Sequence, residues 1–390
     1  MVAGFHQEIT NLKNQNLLRK LISIEGEQDT TISIGGKTVI SLSSNNYLGL
    51  ANHPALKAVS IQIIQSHGVG AGASRLISGN SILYDQLEEK LSSFKKVPSC
   101  LVFNSGYTAN ISLIPTLSKN KGLILADEFN HASLFEGCRL SSALFRIYHH
   151  RDMAHLEKLL KKHSSDKPTL IVTDGVFSMD GDLAPLPSIY DLAQKYNAQI
   201  YVDDAHGTGV LGQHGRGTVE HFDLEEKIEF QMATLGKALG TFGGFFTCQS
   251  DTRTYLLQKA KSLIFTTALP PFILAASTVA IDWIQNHPEL REKLWKNREY
   301  FMGGLRSLGF HLTESETPII PILIGPPGLA LTFSQRLLDK GIFAPAIRPP
   351  TVPKGTSRIR TTIMATHTLE QMDFVLDSFQ SIGKAIGIIK

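Results

Sequence analysis

An α/β fold is predicted, a mostly parallel central sheet covered by helices, with a smaller C-terminal α+β domain and an N-terminal arm. Three observations carry this. Short apolar runs alternate with helical patterns through the middle of the chain, in CLVFNSG, GLILADEF, TLIVTDGVF, AQIYVDDAHGTG and GFFTCQS. Several of these runs end in small or polar residues. That puts Ser105, Asp127, Ser178 and Asp203 at or just beyond strand C-terminal ends, the edge where open α/β sheets bind ligands. From about Pro270 the pattern changes to a long helical stretch followed by a new set of strands.

Taken in order, residues 1–45 read as the arm. MVAGFHQEITNLKNQNLLRK is a polar amphipathic helix, and TTISIGGKTVISLSS holds a hairpin signal at Gly35 and Gly36. Residues 46–283 form the large domain. After a turn at Ser78, Gly79 and Asn80, Leu83, Leu87, Leu91 and Phe94 recur at helical spacing, with Asp85, Glu88 and Glu89 expected outward. Lys158, Lys161 and Lys162 in HLEKLLKKH have the spacing of one solvated helix face. Residues 284–390 make the C-terminal domain. Its helical lead-in runs through Trp283, Leu290, Leu294 and Tyr300, with strands expected around Ile319 to Ile324 and Arg358 to Ile363.

A chain of 390 residues suits two or three packed domains, and a net charge of +3 without a basic cluster argues against nucleic-acid binding. The scattered cysteines, Cys100, Cys138 and Cys248, suggest neither a disulfide framework nor a zinc site, so no metal is expected and a cytoplasmic location fits. The N-terminal segment has no apolar run of signal-peptide length, and no segment approaches the roughly twenty apolar residues that span a bilayer, so no membrane partner is expected.

Four segments carry candidate chemistry. ATLGKALG sets Lys237 among small and apolar neighbours, with Thr234 ahead of it; a lysine there is either a snorkelling cation or a neutral, reactive amine. VDDAHGTG supplies Asp203 and His206. A carboxylate at a strand end can keep a pyridine nitrogen protonated, and an Asx turn with a capping histidine is the plain alternative. FNSGYTAN leads Ser105, Gly106, Tyr107 and Thr108 from a strand into a helix whose first N–H groups suit a phosphate, or into an ordinary turn. DEFNHAS brings His131 beyond another strand, either as a ring to stack on a flat ligand or as a polar loop residue.

In order along the chain, SSNNYLGLANHP, GVGAGASRLISGN, FNSGYTAN, NHASL, TDGVFSMDGD, VDDAHGTGVLG, LGKALG and RPPTVPKGTSRIR resemble the α-oxoamine synthase family of fold-type I enzymes, from Ser43 to His367. The resemblance implies pyridoxal 5′-phosphate as cofactor, with Lys237 as its Schiff-base lysine. Asp203 would pair with the pyridine nitrogen, His206 would contact the phenolic oxygen with Ser178 nearby, and His131 would stack on the ring. Ser105, Gly106, Tyr107 and Thr234 would cradle the phosphate. Thr266 or Thr267, from the second subunit of a homodimer, would reach the same phosphate. Arg360, assisted by Asn45, matches the arginine that holds the substrate carboxylate, a task suited to a planar fork. Arg358 shares its strand face, and only the resemblance separates the two.

The implied reaction is decarboxylative condensation of a small amino acid with an acyl thioester, with the freed Lys237 as base and His131 as an acid at the acyl oxygen. AIRPPTVPKGTSRIR is most similar to the branch that joins L-alanine to a pimeloyl thioester, on coenzyme A or acyl carrier protein, in biotin biosynthesis. Glycine-using members such as 2-amino-3-ketobutyrate ligase, a glycine C-acetyltransferase, are the alternative. An inactive regulatory homologue would lack the lysine. Arg19 is a candidate contact for the phosphorylated carrier. The chain departs from the family's commonest pattern at Asn46, Arg75 and Tyr84, none of them in the expected catalytic set.

Overall fold

A computed structural model describes residues 3–118, 122–163 and 167–390. By their contacts the residues fall into two units. One comprises the residues up to Gly49, Met179–Asp182 and Glu292–Lys390; the other comprises Leu50–Ser178 and Leu183–Arg291. The first forty-nine residues therefore group with the C-terminal residues instead of standing as an arm of their own. The cause lies in the backbone. Helix α1 (Ala3–Asn14) is followed by the hairpin β1 (Thr31–Ile34) and β2 (Lys37–Ser41), which turns at Gly35 and Gly36, both at positive φ. The outer edge of β2 then pairs in parallel with a short strand at Ile342–Phe343.

The larger unit is built on seven strands: β3 (Ser99–Phe103), β4 (Leu123–Asp127), β5 (Leu144–Tyr148), β6 (Thr169–Asp174), β7 (Ala198–Asp203), β8 (Phe230–Thr234) and β9 (Gly244–Cys248). Their order is β3-β9-β8-β7-β6-β4-β5, parallel except for β9, which runs antiparallel to both neighbours. The expected α/β sheet is present. Two strands, β5 and β8, were not among the runs singled out in the sequence: LFRIY is interrupted by Arg146 and FQMAT by Gln231.

Alternation along the strands feeds two cores. Ile124, Ala126, Leu170, Val172 and Tyr201 pack on one face with Ala109, Leu113 and Leu134, while Leu123, Leu125, Ile171, Ile200 and Val202 pack on the other with Leu156, Leu160 and Ile189. Side chains two apart share a face, so Tyr201 and Asp203 of β7 point the same way. Helix α2 (Pro54–His67) precedes α3 (Ile82–Lys95), the helix expected after the Ser78 to Asn80 turn. One detail of α3 is corrected. Glu88 faces inward, where its carboxylate accepts from Arg75, Arg253 and the Val102 N–H; three donors compensate the burial of its charge. Lys95, also of α3, is buried too, paired with Asp204.

In the smaller unit β10 (Ile319–Gly325), β11 (Ile342–Phe343), β12 (Ala346–Ile347) and β13 (Ser357–Thr362) complete the strands, with β13 central and antiparallel to β10 and β12. The expected strands near Ile319 and Arg358 are β10 and β13. The single helical stretch expected from Trp283 to Tyr300 is two helices, Pro271–Asn286 and Pro288–Ser307, because Pro288 starts a new first turn. Among the described residues no helix is long and apolar enough to cross a membrane.

Candidate active site

A cavity of about 200 Å³ opens at the C-terminal ends of β6, β7 and β8 in the larger unit. Two larger hollows exist, of about 410 and 360 Å³. The first lies at the opposite strand ends among residues such as Lys96, Gln199 and Glu226, and the second is lined mainly by Leu56, Ile61, Ile64 and Phe272. The small cavity gathers the predicted groups: Gly106, Tyr107, His131, Ser178, Asp203, His206, Thr234 and Lys237 all line it, with Ser133, Asp174, Ala205 and Met232.

Asp203 ends β7 in the buried interior. Its Oδ1 accepts the Ala205 N–H at 3.0 Å and its Oδ2 accepts Asn110 Nδ2 at 2.7 Å. Burial raises its pKa, against the lowering effect of Lys237 and the Asn110 bond. Asp174, opposite Asp203 in the β6–β7 register, is raised well above the ordinary range by burial and by the Asp203 charge. Its Oδ2 accepts the His131 N–H at 2.6 Å, which helps place the turn that carries His131. Burial lowers the His131 pKa, Lys237 lowers it further, and Asp203 opposes both.

Lys237 sits in the turn after β8, held by buried Leu235, Ala238 and Leu239, and its Nζ lies 2.8 Å from His206 Nε2. The Thr234 hydroxyl donates to the Gly243 carbonyl at 2.9 Å and accepts the Gly236 N–H. Helix α4 (Gly106–Leu117) begins at the cavity wall, bringing the first N–H groups of Gly106 and Tyr107 to it. Ser105 does not line the cavity. It is the N-cap of α4, its hydroxyl accepting the Thr108 N–H while Thr108 returns a bond to the Ser105 N–H. Gly244 of β9 permits this approach, since a Cβ there would lie 2.6 Å from the Gly106 nitrogen. Thr266 and Thr267 do not line the cavity either; the Thr267 carbonyl accepts Asn104 Nδ2, and its side is exposed.

The loop carrying His206 is anchored by Asp204. That carboxylate accepts Lys95 Nζ at 2.9 Å, the Thr208 hydroxyl at 2.8 Å, and the Thr218 N–H and hydroxyl at 3.0 and 2.7 Å, with no exposed side-chain surface on either ion. Gly217, at φ 108°, lies so close that a Cβ would sit 1.6 Å from Asp204 Oδ2.

The remaining candidates lie in the smaller unit. Arg360, on β13, is buried, with Nη2 3.2 Å from Asn45 Oδ1 and Nη1 2.9 Å from the Thr362 hydroxyl; burial lowers its pKa, and a hydrogen bond with Tyr47 opposes the shift. Arg358 is engaged elsewhere. It donates to the Asp180 carboxylate and to the Met179 and Thr356 carbonyls. Arg19 Nη2 donates to the Thr351 hydroxyl at the surface, and nearby Arg348 donates to the Asn16 and Leu18 carbonyls.

Sequence reasoning passed over Asn110, Ser133, Asp174, Tyr47 and the Lys95–Asp204 pair. All but Lys95 stand in a quoted motif: Asn110 closes FNSGYTAN and Asp204 follows Asp203. The signal was therefore present, but their partners lie far off in sequence. Two of the three departures also explain each other, since the Arg75 guanidinium lies 4.0 Å from the Tyr84 ring centre and the Tyr84 hydroxyl accepts the Leu269 N–H.

Residues 37–379 match the family model for aminotransferase class I and II. The chain is 48% identical to an 8-amino-7-oxononanoate synthase of Lysinibacillus sphaericus, covering 99% of each chain, and 46% identical to one of Geobacter sulfurreducens, covering 100% of each. Among solved structures it is similar to a serine palmitoyltransferase holding PLP (TM-score 0.95, 33% identity, 99% of this chain and 98% of that chain). It is also similar to the 8-amino-7-oxononanoate synthase of Francisella tularensis (TM-score 0.77, 27% identity, 89% and 98%).

Proposed function

We propose, because the chain belongs to the class I and II aminotransferase family and within it to the α-oxoamine synthases, that it condenses L-alanine with a pimeloyl thioester. The products are 8-amino-7-oxononanoate, carbon dioxide and the free thiol carrier, coenzyme A or acyl carrier protein, a step of biotin biosynthesis. The observation that carries the reading is one cavity that combines a primary amine, a buried carboxylate and two imidazoles beside a helix N-terminus.

That donor set fits pyridoxal 5′-phosphate, which supplies an aldehyde for amines and a protonated ring that withdraws electrons from the carbon bearing the amine. Lys237 would hold the cofactor and, once displaced by the substrate amine, take the proton from the alanine α-carbon. Asp203, anionic and held by Asn110 and the Ala205 N–H, would keep the ring nitrogen protonated. His206 and Ser178 would meet the phenolic oxygen, and His131 would stack on the ring and offer a proton to the acyl oxygen. The N–H groups of Gly106 and Tyr107, at the positive end of α4, suit the phosphate together with the Thr234 hydroxyl. Ser105 contributes by capping that helix. Arg360 and Asn45 would receive the alanine carboxylate; the engagement of Arg358 by Asp180 supports choosing Arg360. Arg19 is the proposed carrier contact.

We further propose a cytoplasmic homodimer in which Thr266 or Thr267 of one copy reaches the other copy's phosphate. Ile61, Val69, Leu76, Ile77 and Phe265, all large, apolar and exposed on the larger unit, support an interface there. The test pairs alanine, glycine and serine with pimeloyl and acetyl thioesters and identifies products by mass spectrometry. Alanine with pimeloyl thioester should turn over fastest; faster reaction of glycine with acetyl thioester would make the protein a glycine C-acetyltransferase instead.

A further inference from the structure

Behind Asp203 and His131, Asn110, Tyr201 and Ser133 form a hydrogen-bonded set that links the two through the interior. The Tyr201 hydroxyl donates to Asn110 Oδ1 at 2.7 Å. Asn110 Nδ2 lies 2.7 Å from Asp203 Oδ2 and 2.8 Å from Ser133 Oγ, and Ser133 Oγ lies 2.7 Å from His131 Nδ1. The fold brings these together for simple reasons. Tyr201 and Asp203 share a face of β7, Asn110 lies on α4 packed over that face, and Ser133 lies in the first turn of α5 (Ala132–Leu140), whose N-cap is His131. Asn110 is entirely buried.

The direction of every proton in this set follows from donor and acceptor capacity. An ionised carboxylate only accepts, so Asn110 must turn its NH₂ to Asp203, and its carbonyl then receives the Tyr201 hydroxyl. The second N–H of the same NH₂ reaches Ser133 Oγ. Ser133 Oγ keeps one lone pair and its proton, and the direction is set at the imidazole: the Ser133 N–H, which can only donate, points to His131 Nδ1 at 3.3 Å, so the hydroxyl gives its proton to the same nitrogen. Nδ1 is thus an acceptor. We infer that Asn110 is a positioning residue that joins Asp203 and His131 in one polarised set and holds the His131 ring neutral, with its proton on Nε2.

Two consequences follow for the cavity. A neutral imidazole avoids like-charge repulsion with a cationic ligand ring stacked on it, and Nε2–H makes His131 a hydrogen-bond donor to a carbonyl or carboxylate oxygen bound there. What the cavity binds rests on the proposed function, but the tautomer belongs to the protein alone.

The test uses full-length protein labelled with ¹⁵N-histidine, with and without added pyridoxal phosphate. Two-bond ¹H–¹⁵N spectra distinguish the ring nitrogens because Nε2 couples to both ring carbon-bound protons and Nδ1 to one; His131→Asn identifies the signals. At neutral pH, without cofactor, His131 should show an unprotonated Nδ1 and a protonated Nε2. A protonated Nδ1, alone or in an imidazolium, overturns the inference. Asn110→Ala removes the donor that commits the Ser133 hydroxyl, and the Nδ1 signal should move toward that of a tautomer mixture. Asn110→Leu, close in size, removes the same donor without leaving a large cavity and should do likewise. If His131 keeps the wild-type spectrum in a folded Asn110→Leu protein, the Ser133 N–H alone sets the tautomer and the role of Asn110 falls. Failure of pyridoxal phosphate to bind the wild type while the tautomer is as expected would sink the proposed function and leave this inference standing.

Discussion

Replacing Lys95 by Met tests how much the buried anchor under the catalytic loop contributes. The substitution keeps most of the length of the side chain and removes its charge, leaving Asp204 with no exposed side-chain surface and no cation. Breaking one side of such a pair costs about 3–5 kcal/mol. Three donors remain on the carboxylate, the Thr208 hydroxyl and the Thr218 hydroxyl and N–H, so the expected loss is near the lower end, about 3 kcal/mol. For a unit of this size, each kcal/mol moves the melting temperature by about 2–4 °C, which gives a drop of roughly 6–12 °C in differential scanning calorimetry. Lys96→Ala is the control. Its amine is half exposed and 3.8 Å from Glu225, so its loss should cost less than about 1 kcal/mol. Removing both ions does not restore stability, because an apolar residue at Asp204 leaves the buried Thr218 N–H unsatisfied. The reasoning is refuted if Lys95→Met melts with the control, within about 2 °C of wild type.

Other outcomes follow from the same geometry. Lys237→Ala should abolish turnover, and borohydride treatment of wild-type holoenzyme should fix the cofactor to the peptide containing Lys237; label on a different lysine would overturn the assignment. Asp203→Asn should abolish exchange of the alanine α-proton while alanine still binds, and exchange at the wild-type rate would remove Asp203 from its role. Arg360→Ala should raise the alanine KM by orders of magnitude, from loss of about 2–5 kcal/mol of charge-assisted binding, whereas Arg358→Ala should chiefly lower stability by stranding Asp180; the reverse pattern would show the wrong arginine was chosen. His367 is buried with Nδ1 accepting the Met364 N–H and Nε2–H donating to the Ser41 carbonyl, so the fold holds it neutral and burial lowers its pKa to about 4. The unfolded chain therefore binds the extra proton below its own pKa of about 6.5. Stability should fall by about 3 kcal/mol as pH drops from 6.5 to 4, and His367→Gln should flatten that slope in urea titrations.

The sequence by itself determined the α/β class, most strands of the large sheet, the hairpin at Gly35 and Gly36, and eight of the cavity-lining residues. These were legible because they depend on local rules. Apolar runs of strand length mark the sheet, and the groups at strand ends fall at fixed offsets from them, so Gly106, Asp203, His206 and Lys237 stand in short contiguous motifs. Only the tertiary structure decided which charges are buried. Glu88 on α3 has the pattern of a solvated residue, yet Arg75 and Arg253 meet it inside; Lys95 meets an aspartate 109 residues away. The Asn110 set likewise joins α4, α5 and β7 across separations of up to 93 residues. The physical reason is that a buried charge or amide is stable only when its partners saturate it. Those partners are supplied by neighbours in space, which no local spacing in the chain encodes.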